Sequence, residues 1–294
     1  MTVHTAQGPR LEQPKKTSQT KEVMKRFAQN PLAMIAMVMF VVFVALALLA
    51  PYICKYGYDE YTADLFAPPS MEHFFGTDRF GRDLFSRVLY GGRYSIFMGV
   101  AATIIGTFIG LVLGAIAGFF GQTADNIVMR FCDIFQAIPG ILLSMVISTA
   151  LGPGVVNTVI ALSIAGIAGT ARMLRSLILQ IRNSDYIEAA GSINCSSVRI
   201  IFMHILPNTF GPILVGCTMG IGGTIMQAAS LSFLGLGVKA PIPEWGALLN
   251  EGRNYFMLHP HLLIFPGLAI GLLSFATCVM GDGLRDAMDP RLKK

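Results

Sequence analysis

Charged residues are scarce in this chain. Asp, Glu, Lys and Arg make up 13% of its 294 residues, whereas hydrophobic residues make up 53%. Ordinary globular proteins carry about 25% charged residues, and a soluble protein of this length needs that charge to cover its surface. Intrinsic disorder is excluded as well, because disordered chains are rich in charge and poor in apolar residues. The composition therefore predicts a membrane protein.

Paired cysteines and catalytic motifs are also lacking. The five cysteines are widely spaced and form no CxxC pair, so neither a disulfide framework nor a zinc site is indicated. No G-x-x-x-x-G-K-[ST] phosphate loop occurs, so the chain cannot cradle ATP in the usual way. No Ser/His/Asp, HExxH or paired-carboxylate arrangement is present, which argues against an intramembrane enzyme.

Five long stretches contain no charged residue: 27–54, 94–124, 134–171, 200–238 and 254–281. A helix needs about 20 apolar residues to cross the hydrocarbon core. The third stretch is too long for one span, and Gly152-Pro153-Gly154 divides it. The fourth could also be divided, but residues 200–207 look like an approach to the membrane. We predict an all-α membrane protein with six transmembrane helices, at 32–54, 95–120, 134–151, 155–172, 209–236 and 261–282.

The basic residues predict the orientation of these spans. With the N-terminus inside, the cytoplasmic segments hold about two thirds of the 22 Lys and Arg residues, as the positive-inside rule requires. Both termini are then cytoplasmic, and the net charge of +5 indicates anionic membrane lipid as a partner, with no need for nucleic acid. The predicted division is a tail at 1–31, a first helix at 32–54, an external segment at 55–93, a five-helix core at 94–283 and a tail at 284–294.

Small and polar residues within the spans suggest how the helices pack. Gly106, Gly110, Gly114 and Gly118 recur on one helical face, where they allow another helix to approach closely. Packing within the bundle is favoured over a seam with a homologous subunit. The spans carry almost no ionisable group, which argues against a proton relay or an ion site. Their polar atoms come from Ser, Thr, Asn157, Gln136 and Gln227, which suits a path for a weakly held polar solute.

The cytoplasmic stretch after the fourth span predicts two short helices. Residues 183–185 offer N-cap residues for a helix that starts near Tyr186, and Asn194 can end that helix in a left-handed conformation. A second helix, 196–205, would run to Pro207. Ala189 and the neighbouring Ala190 leave a smooth surface, to which Glu188 adds one charge. We define this coupling loop, 185–207, as the knob, and its shape suits docking in a partner's groove.

The knob resembles the EAA loop of permease subunits of bacterial ABC importers. Glu188, Ala189 and Ala190 match the opening of that pattern, residues 204–208 match its close, and Asn194 stands where the family has its central glycine. The resemblance assigns coupling to an ATPase to the following residues: Glu188, Ala189, Ala190, Gly191, Asn194, His204, Leu206 and Pro207.

Three further stretches, 76–87, 243–246 and 281–290, resemble the peptide-type permeases of dipeptide, oligopeptide and nickel importers. They resemble the second of the two permeases that such systems usually encode. The external family motif comprises Gly76, Thr77, Asp78, Gly81, Arg82, Asp83, Ser86 and Arg87.

The resemblance implies an ABC importer type I permease core with cytoplasmic coupling helices, in the bacterial cytoplasmic (inner) membrane. It implies import of di- or oligopeptides by alternating access, with a homologous second permease, two cytoplasmic ATPase subunits and an external solute-binding protein. ATP and Mg²⁺ would bind the ATPase subunits; this chain is expected to hold no cofactor or metal and to catalyse no reaction. A permease for nickel or another metal chelate, and a gated channel that needs no nucleotide, are the alternatives.

Three external or terminal features allow more than one interpretation. His259-Pro260-His261 could ligate a metal, but two histidines alone make an incomplete site. The charged residues between Asp78 and Arg87 could form a docking surface, although an ion-pair network that shapes the outer loop is favoured. Trp245 is interpreted as an anchor at the membrane interface or a plug in the external loop. Residues 1–30 are predicted to form a flexible tail.

Overall fold

The computed structural model describes residues 19–289, so residues 1–18 and 290–294 of the two predicted tails, with Pro290 of the third family stretch, lie outside the described residues. Within 19–289 the chain is helical and contains no strand; one isolated antiparallel bridge joins Thr77 and Asp83. The helices are α1 (Gln19–Gln29), α2 (Pro31–Ile53), α3 (Leu84–Phe120), α4 (Gln122–Gln136), α5 (Gly140–Leu151), α6 (Val155–Arg182), α7 (Asp185–Ser192), α8 (Ser197–Ile200), α9 (Leu206–Phe233), α10 (Trp245–Gly252) and α11 (His261–Met288).

The number of candidate spans agrees with the prediction. Five helices in the described part are long and apolar enough to cross a membrane: α2, α3, α6, α11 and the continuous rod formed by α8, a π-helical turn and α9. The bent pair of α4 and α5 makes a sixth if it is counted as one span. The apolar stretches of the sequence therefore become helices, and their order along the chain is as predicted.

The third predicted span, 134–151, is wrong as a single straight helix. α4 and α5 meet at an angle of 84° across Ala137–Pro139. Pro139 lacks a backbone N–H and disfavours the helical conformation of the residue before it, and Gly140, a poor helix former, follows it, so the pair favours a break at this point. Most of the predicted span corresponds to α5, whose 12 residues cover about 18 Å, which is less than the hydrocarbon core.

Three other boundaries differ from the prediction. α3 begins at Leu84, inside the predicted external segment, because the Asp83 side chain accepts a hydrogen bond from the Ser86 N–H and caps the helix there. α6 extends to Arg182. The second knob helix does not end near Pro207 but continues into α9 through the π-helical turn Ile201–Ile205. Proline is tolerated there because it occupies the first turn of α9.

The glycine face of α3 lies against α6, inside this chain. A Cβ on Gly110 would lie 2.7 Å from Thr170 Cβ, and a Cβ on Gly114 would lie 2.6 Å from the Ala171 carbonyl oxygen. The absence of side chains is what allows the two backbones to come this close. Packing within the bundle is thus confirmed, and the alternative of a subunit seam at these glycines is wrong.

The N-terminal helices lie against the C-terminal helix. Asn30 caps α2 by accepting hydrogen bonds from the N–H groups of Leu32 and Ala33. The buried Phe27 ring of α1 and Ala33 of α2 pack on Gly283 of α11. The prediction of a flexible tail is therefore wrong for residues 19–29, because the buried Phe27 fixes that helix to the bundle.

Candidate functional site

The knob is built on the C-terminal ends of α3 and α6. Ile187 and Ala190 of α7 are buried in a cluster with Ala115, Ile178 and Ile200. These contacts place Glu188 and Ala189 on the exposed side of α7. Ala189 therefore faces outward, whereas Ala190 anchors α7 to the bundle.

The turn of the knob has the predicted left-handed residue. Asn194 has φ of 59°, and the following Cys195 N–H donates to the Ala190 carbonyl at 3.2 Å. Asparagine tolerates this conformation better than most residues, so it can replace the family's glycine here. Ser196 then caps α8 by accepting a hydrogen bond from the Arg199 N–H.

The other coupling residues predicted from the sequence also lie in the knob. Gly191 lies in α7 beside Ala190; His204 is partly buried in the π-helical turn, and Leu206 and Pro207 open α9. The His204 carbonyl accepts a hydrogen bond from the Asn208 side chain at 2.7 Å, and the same amide approaches the Tyr186 hydroxyl at 3.3 Å. This contact joins the two halves of the knob. The knob also exposes large apolar side chains: Ile193, Val198, Phe202 and Met203.

The external motif forms a buried network of two cations and two anions. Arg82 donates from Nε to Asp78 Oδ2 at 2.7 Å and from Nη2 to Glu251 Oε2 at 2.6 Å. Arg87 donates from Nη1 to the same two oxygens, at 2.7 and 2.8 Å. The arginines are only 2% and 1% exposed. The preferred interpretation as an ion-pair network is confirmed, and a docking surface made of these arginines is excluded by their burial.

Glu251, on α10, is the member of this network that the sequence analysis missed. Burial disfavours its charged form, but the hydrogen bond from Arg87 and the charges of Arg87, Arg82 and Arg79 outweigh burial and hold its pKa below the usual range. It lies 164 residues from Arg87 along the chain. The available signal was the unbalanced charge of the external cluster, where the arginines outnumber the aspartates, so an acidic partner from elsewhere was required.

The other motif residues fold the segment that surrounds this network. Gly76 and Gly81 have φ of 79° and 78°, in the region that favours glycine, and in each case a Cβ would collide with a backbone carbonyl. Asp83 accepts from Ser86 and also contacts His73 Nδ1 at 2.9 Å. Thr77 is fully buried and donates to the Asp64 carbonyl. These residues therefore shape the external segment.

A second buried acid, Glu244, has no basic partner within residues 19–289. It caps α10 by accepting from the Ala247 N–H at 2.9 Å, and it accepts from the Ser95 hydroxyl of α3 at 3.1 Å. Complete burial raises its pKa, and the hydrogen bonds from Gly246, Ser232, Ala247 and Ser95 only partly offset this. Glu244 therefore contrasts with Glu251, whose arginines stabilise the charge.

Trp245 packs inside the bundle, against α3. Its ring lies against Gly92, and its Nε1–H donates to the Val88 carbonyl at 2.8 Å. The side chain is 2% exposed. The anchor at the membrane interface is therefore wrong, because the indole reaches no interface, whereas a plug beneath the external loop describes its position.

The two histidines at the start of α11 serve packing contacts. His259 stacks on Phe66 with ring centroids 4.3 Å apart, and His261 Nε2 lies 3.5 Å from the Thr77 carbonyl oxygen. Among the described residues no group of three or more His, Cys, Asp or Glu side chains is arranged to hold a metal ion. Each histidine thus contacts the external segment.

Comparison with known families agrees with this geometry. Residues 110–294 match the family described as binding-protein-dependent transport system inner membrane component. This chain belongs to that family. Residues 18–69 match the N-terminal transmembrane domain of oligopeptide transport permease C. The predicted resemblance to peptide-type permeases is confirmed, and the knob lies within the matched family segment.

Relatives are similar to the permease over almost its whole length. It is 39% identical to the dipeptide transport system permease protein DppC of Alkalihalophilus pseudofirmus, over 100% of this chain and 97% of that protein. It is 44% identical to the glutathione transport system permease protein GsiD of Escherichia coli, over 92% and 90%. It is 40% identical to the oligopeptide transport system permease protein OppC of Bacillus subtilis, over 95% and 92%.

Solved structures share the fold. An inward-facing form of the MetNI methionine ABC transporter matches with a TM-score of 0.58 and 18% identity, over 69% of this chain and 97% of that chain. An amino acid ABC transporter matches with a TM-score of 0.51 and 17% identity, over 71% and 95%. The predicted all-α permease fold is thus confirmed.

Proposed function

We propose that this permease imports di- or oligopeptides by alternating access, with the knob as its contact with a cytoplasmic ATPase. The observation that carries the coupling role is the exposed face of α7, where Glu188 and Ala189 lie outward while Ile187 and Ala190 hold the helix on α3 and α6. The dipeptide, glutathione and oligopeptide permeases among its relatives support a peptide solute.

The apolar rim of the knob supports a protein partner. Ile193, Val198, Phe202 and Met203 are exposed around the turn, and an apolar patch rimmed by polar residues marks an interaction surface. A cavity in the ATPase that accepts these side chains and places a cation near Glu188 would bury them. We infer that two ATPase subunits, a homologous second permease and an external binding protein complete the assembly.

The chain itself would catalyse nothing. ATP and Mg²⁺ would be held by the ATPase subunits, because this sequence has no phosphate loop. Both termini would be cytoplasmic, which follows from the distribution of Lys and Arg between the segments that connect the spans. The knob would then lie inside, and the buried ion network outside.

Replacement of Glu188 by Lys tests the coupling role. We expect the assembled complex in proteoliposomes to lose at least 10-fold in binding-protein-stimulated ATP hydrolysis with short alanine peptides, because the charge at the contact is reversed. Asp286→Lys is the matched control, since Asp286 is also exposed near the cytoplasmic end of a helix and undergoes the same change of charge. Its ATP hydrolysis should equal that of the unmodified complex.

Unchanged hydrolysis and uptake in Glu188→Lys would overturn the coupling role. The solute class is tested separately by competition, with labelled alanine peptides against a nickel chelate. Displacement by the chelate but by no peptide would instead establish a metal-chelate permease. Uptake that continues without ATP would establish a channel.

A further inference from the structure

The break between α4 and α5 lies at the depth of the predicted spans. Gly169 of α6 is in the predicted span 155–172, three residues before its end, where Arg172 pairs with Asp133 of α4. The side-chain nitrogen of Gln136, the last residue of α4, lies 4.0 Å from where a Cβ on Gly169 would be. The 84° bend therefore lies beside the inner part of this span, within the apolar part of the bundle.

Two amide side chains flank this break and are unpaired within the chain. The Gln227 side-chain nitrogen, from α9, lies 3.6 Å from where a Cβ on Gly140 would be, at the first residue of α5. Neither Gln136 nor Gln227 makes a side-chain hydrogen bond to any residue between 19 and 289. Asn157, by contrast, uses its amide to satisfy the carbonyls of Leu151 and Gly152 at the end of α5.

Lipid cannot solvate these groups. An amide without a partner in hydrocarbon is strongly unfavourable, because the hydrogen bonds that it loses with water are not replaced. Backbone that leaves the helical conformation at membrane depth is tolerated only against protein or beside a water-filled cavity. The first turn of α5 adds backbone N–H groups that need hydrogen-bond partners, because no side chain caps this helix. The bend and the two glutamines must therefore face water, solute or a protein surface with polar groups.

The face of α9 that lies next to the break is also polar and open. Gly223, Gln227 and Ser230 follow at helical spacing, and no atom lies within 4 Å of where a Cβ on Gly223 would be. The flank of this face is used internally, where Thr224, about one turn before Gln227, contacts Thr103 of α3 at 2.9 Å. The polar, open face of α9 thus continues from the break toward the outer end of the bundle.

We propose that Gln136, Gln227 and the Pro139–Gly140 break line this chain's part of the translocation path, where they hydrogen-bond the amide groups of a passing peptide. This inference rests on the proposed peptide import. An amide side chain both donates and accepts, which matches a peptide group in either orientation. Neither amide carries a charge, which leaves each contact weak enough for the solute to move on.

Cysteine accessibility in the assembled complex tests the placement. Gln136→Cys and Gln227→Cys are made in a chain whose five native cysteines are replaced by alanine, with Phe108→Cys as control. Phe108 is 67% exposed and lies half a turn from Gly110, which packs on Thr170 at the same depth. We expect a charged, water-soluble thiol reagent to modify both path cysteines at least 10-fold faster than the control, because only they face water.

Equal rates at all three positions would overturn the placement, since the break would then face lipid or a dry subunit contact. The amide role is tested by Gln136→Leu and Gln227→Leu, with Phe108→Leu as control. We expect alanine peptide transported per ATP hydrolysed to fall severalfold only in the glutamine variants; an unchanged ratio would overturn that role. If peptides fail to stimulate ATP hydrolysis in the unmodified complex, the proposed function fails, whereas the labelling rates still decide the placement.

Discussion

At the scale of single residues, the two buried glutamates have opposite electrostatic environments. The arginines around Glu251 lower its pKa, whereas burial without a cation raises that of Glu244. A lowered carboxyl pKa stabilises the fold above the ordinary value, about 4.3, and this stability is lost as the pH falls through the lower folded value. A raised carboxyl pKa does the reverse, so stability falls as the pH rises above the ordinary value.

These signs predict different effects of the two amide variants on thermal unfolding of the detergent-solubilised complex. Glu251→Gln should lower the Tm at neutral pH, because removing one partner of a buried pair costs about 3–5 kcal/mol, and should flatten the loss of stability in acid. Glu244→Gln should change the Tm little near the ordinary glutamate pKa and raise it relative to the unmodified chain at alkaline pH. The same pH profile in both variants would contradict this assignment.

At the scale of helices, the contact of α3 with α6 depends on missing side chains. A Cβ on Gly114 would lie 2.6 Å from the Ala171 carbonyl oxygen and 2.8 Å from Leu174 Cβ, so the helices would have to separate. Gly271 of α11 has no atom within 4 Å of its Cβ position. Gly114 is thus confined by α6, whereas Gly271 has space for a side chain.

We therefore expect Gly114→Ala to destabilise the permease by about 1–3 kcal/mol, the usual cost of overpacking. Gly271→Ala should leave the Tm unchanged or higher, because alanine favours the helix by about 1 kcal/mol over glycine. Differential scanning fluorimetry of the two purified variants measures the contrast. A similar loss in both would mean that the glycines act through helix propensity or flexibility and not through this close contact.

The helices also show how far the sequence determines the fold. Apolar stretches without charge predicted the spans, because hydropathy is a property of consecutive residues. The bend at Pro139 was missed because a proline does not mark a break by itself, since Pro51, Pro212 and Pro266 lie inside continuous helices. The link between Arg87 and Glu251 joins residues far apart along the chain, so no local pattern could specify it. Asn194, whose conformation depends on its own side chain, was predicted.

At the scale of the whole molecule, the proposed orientation separates two exposed regions. Met71 lies in the segment before α3, and Ile193 lies at the tip of the knob; both are exposed. In the chain without native cysteines, Met71→Cys should react with a membrane-impermeant thiol reagent in spheroplasts, and Ile193→Cys should react only after the membrane is permeabilised. Mass spectrometry of the purified chain measures the labelling of each cysteine. The reverse pattern would invert the topology and place the knob outside.

The continuity of the knob with α9 has a mechanical consequence. From Ser197 to Phe233 the chain forms one rod of 37 residues, which is about 55 Å long at 1.5 Å per residue. A tilt of about 10° around its cytoplasmic end would displace its outer end by about 10 Å, as follows from that length. Gln227 lies near the outer end and would move almost as far, so a small rotation imposed inside the cell would become a large opening near the far surface, without a relay of side chains between them.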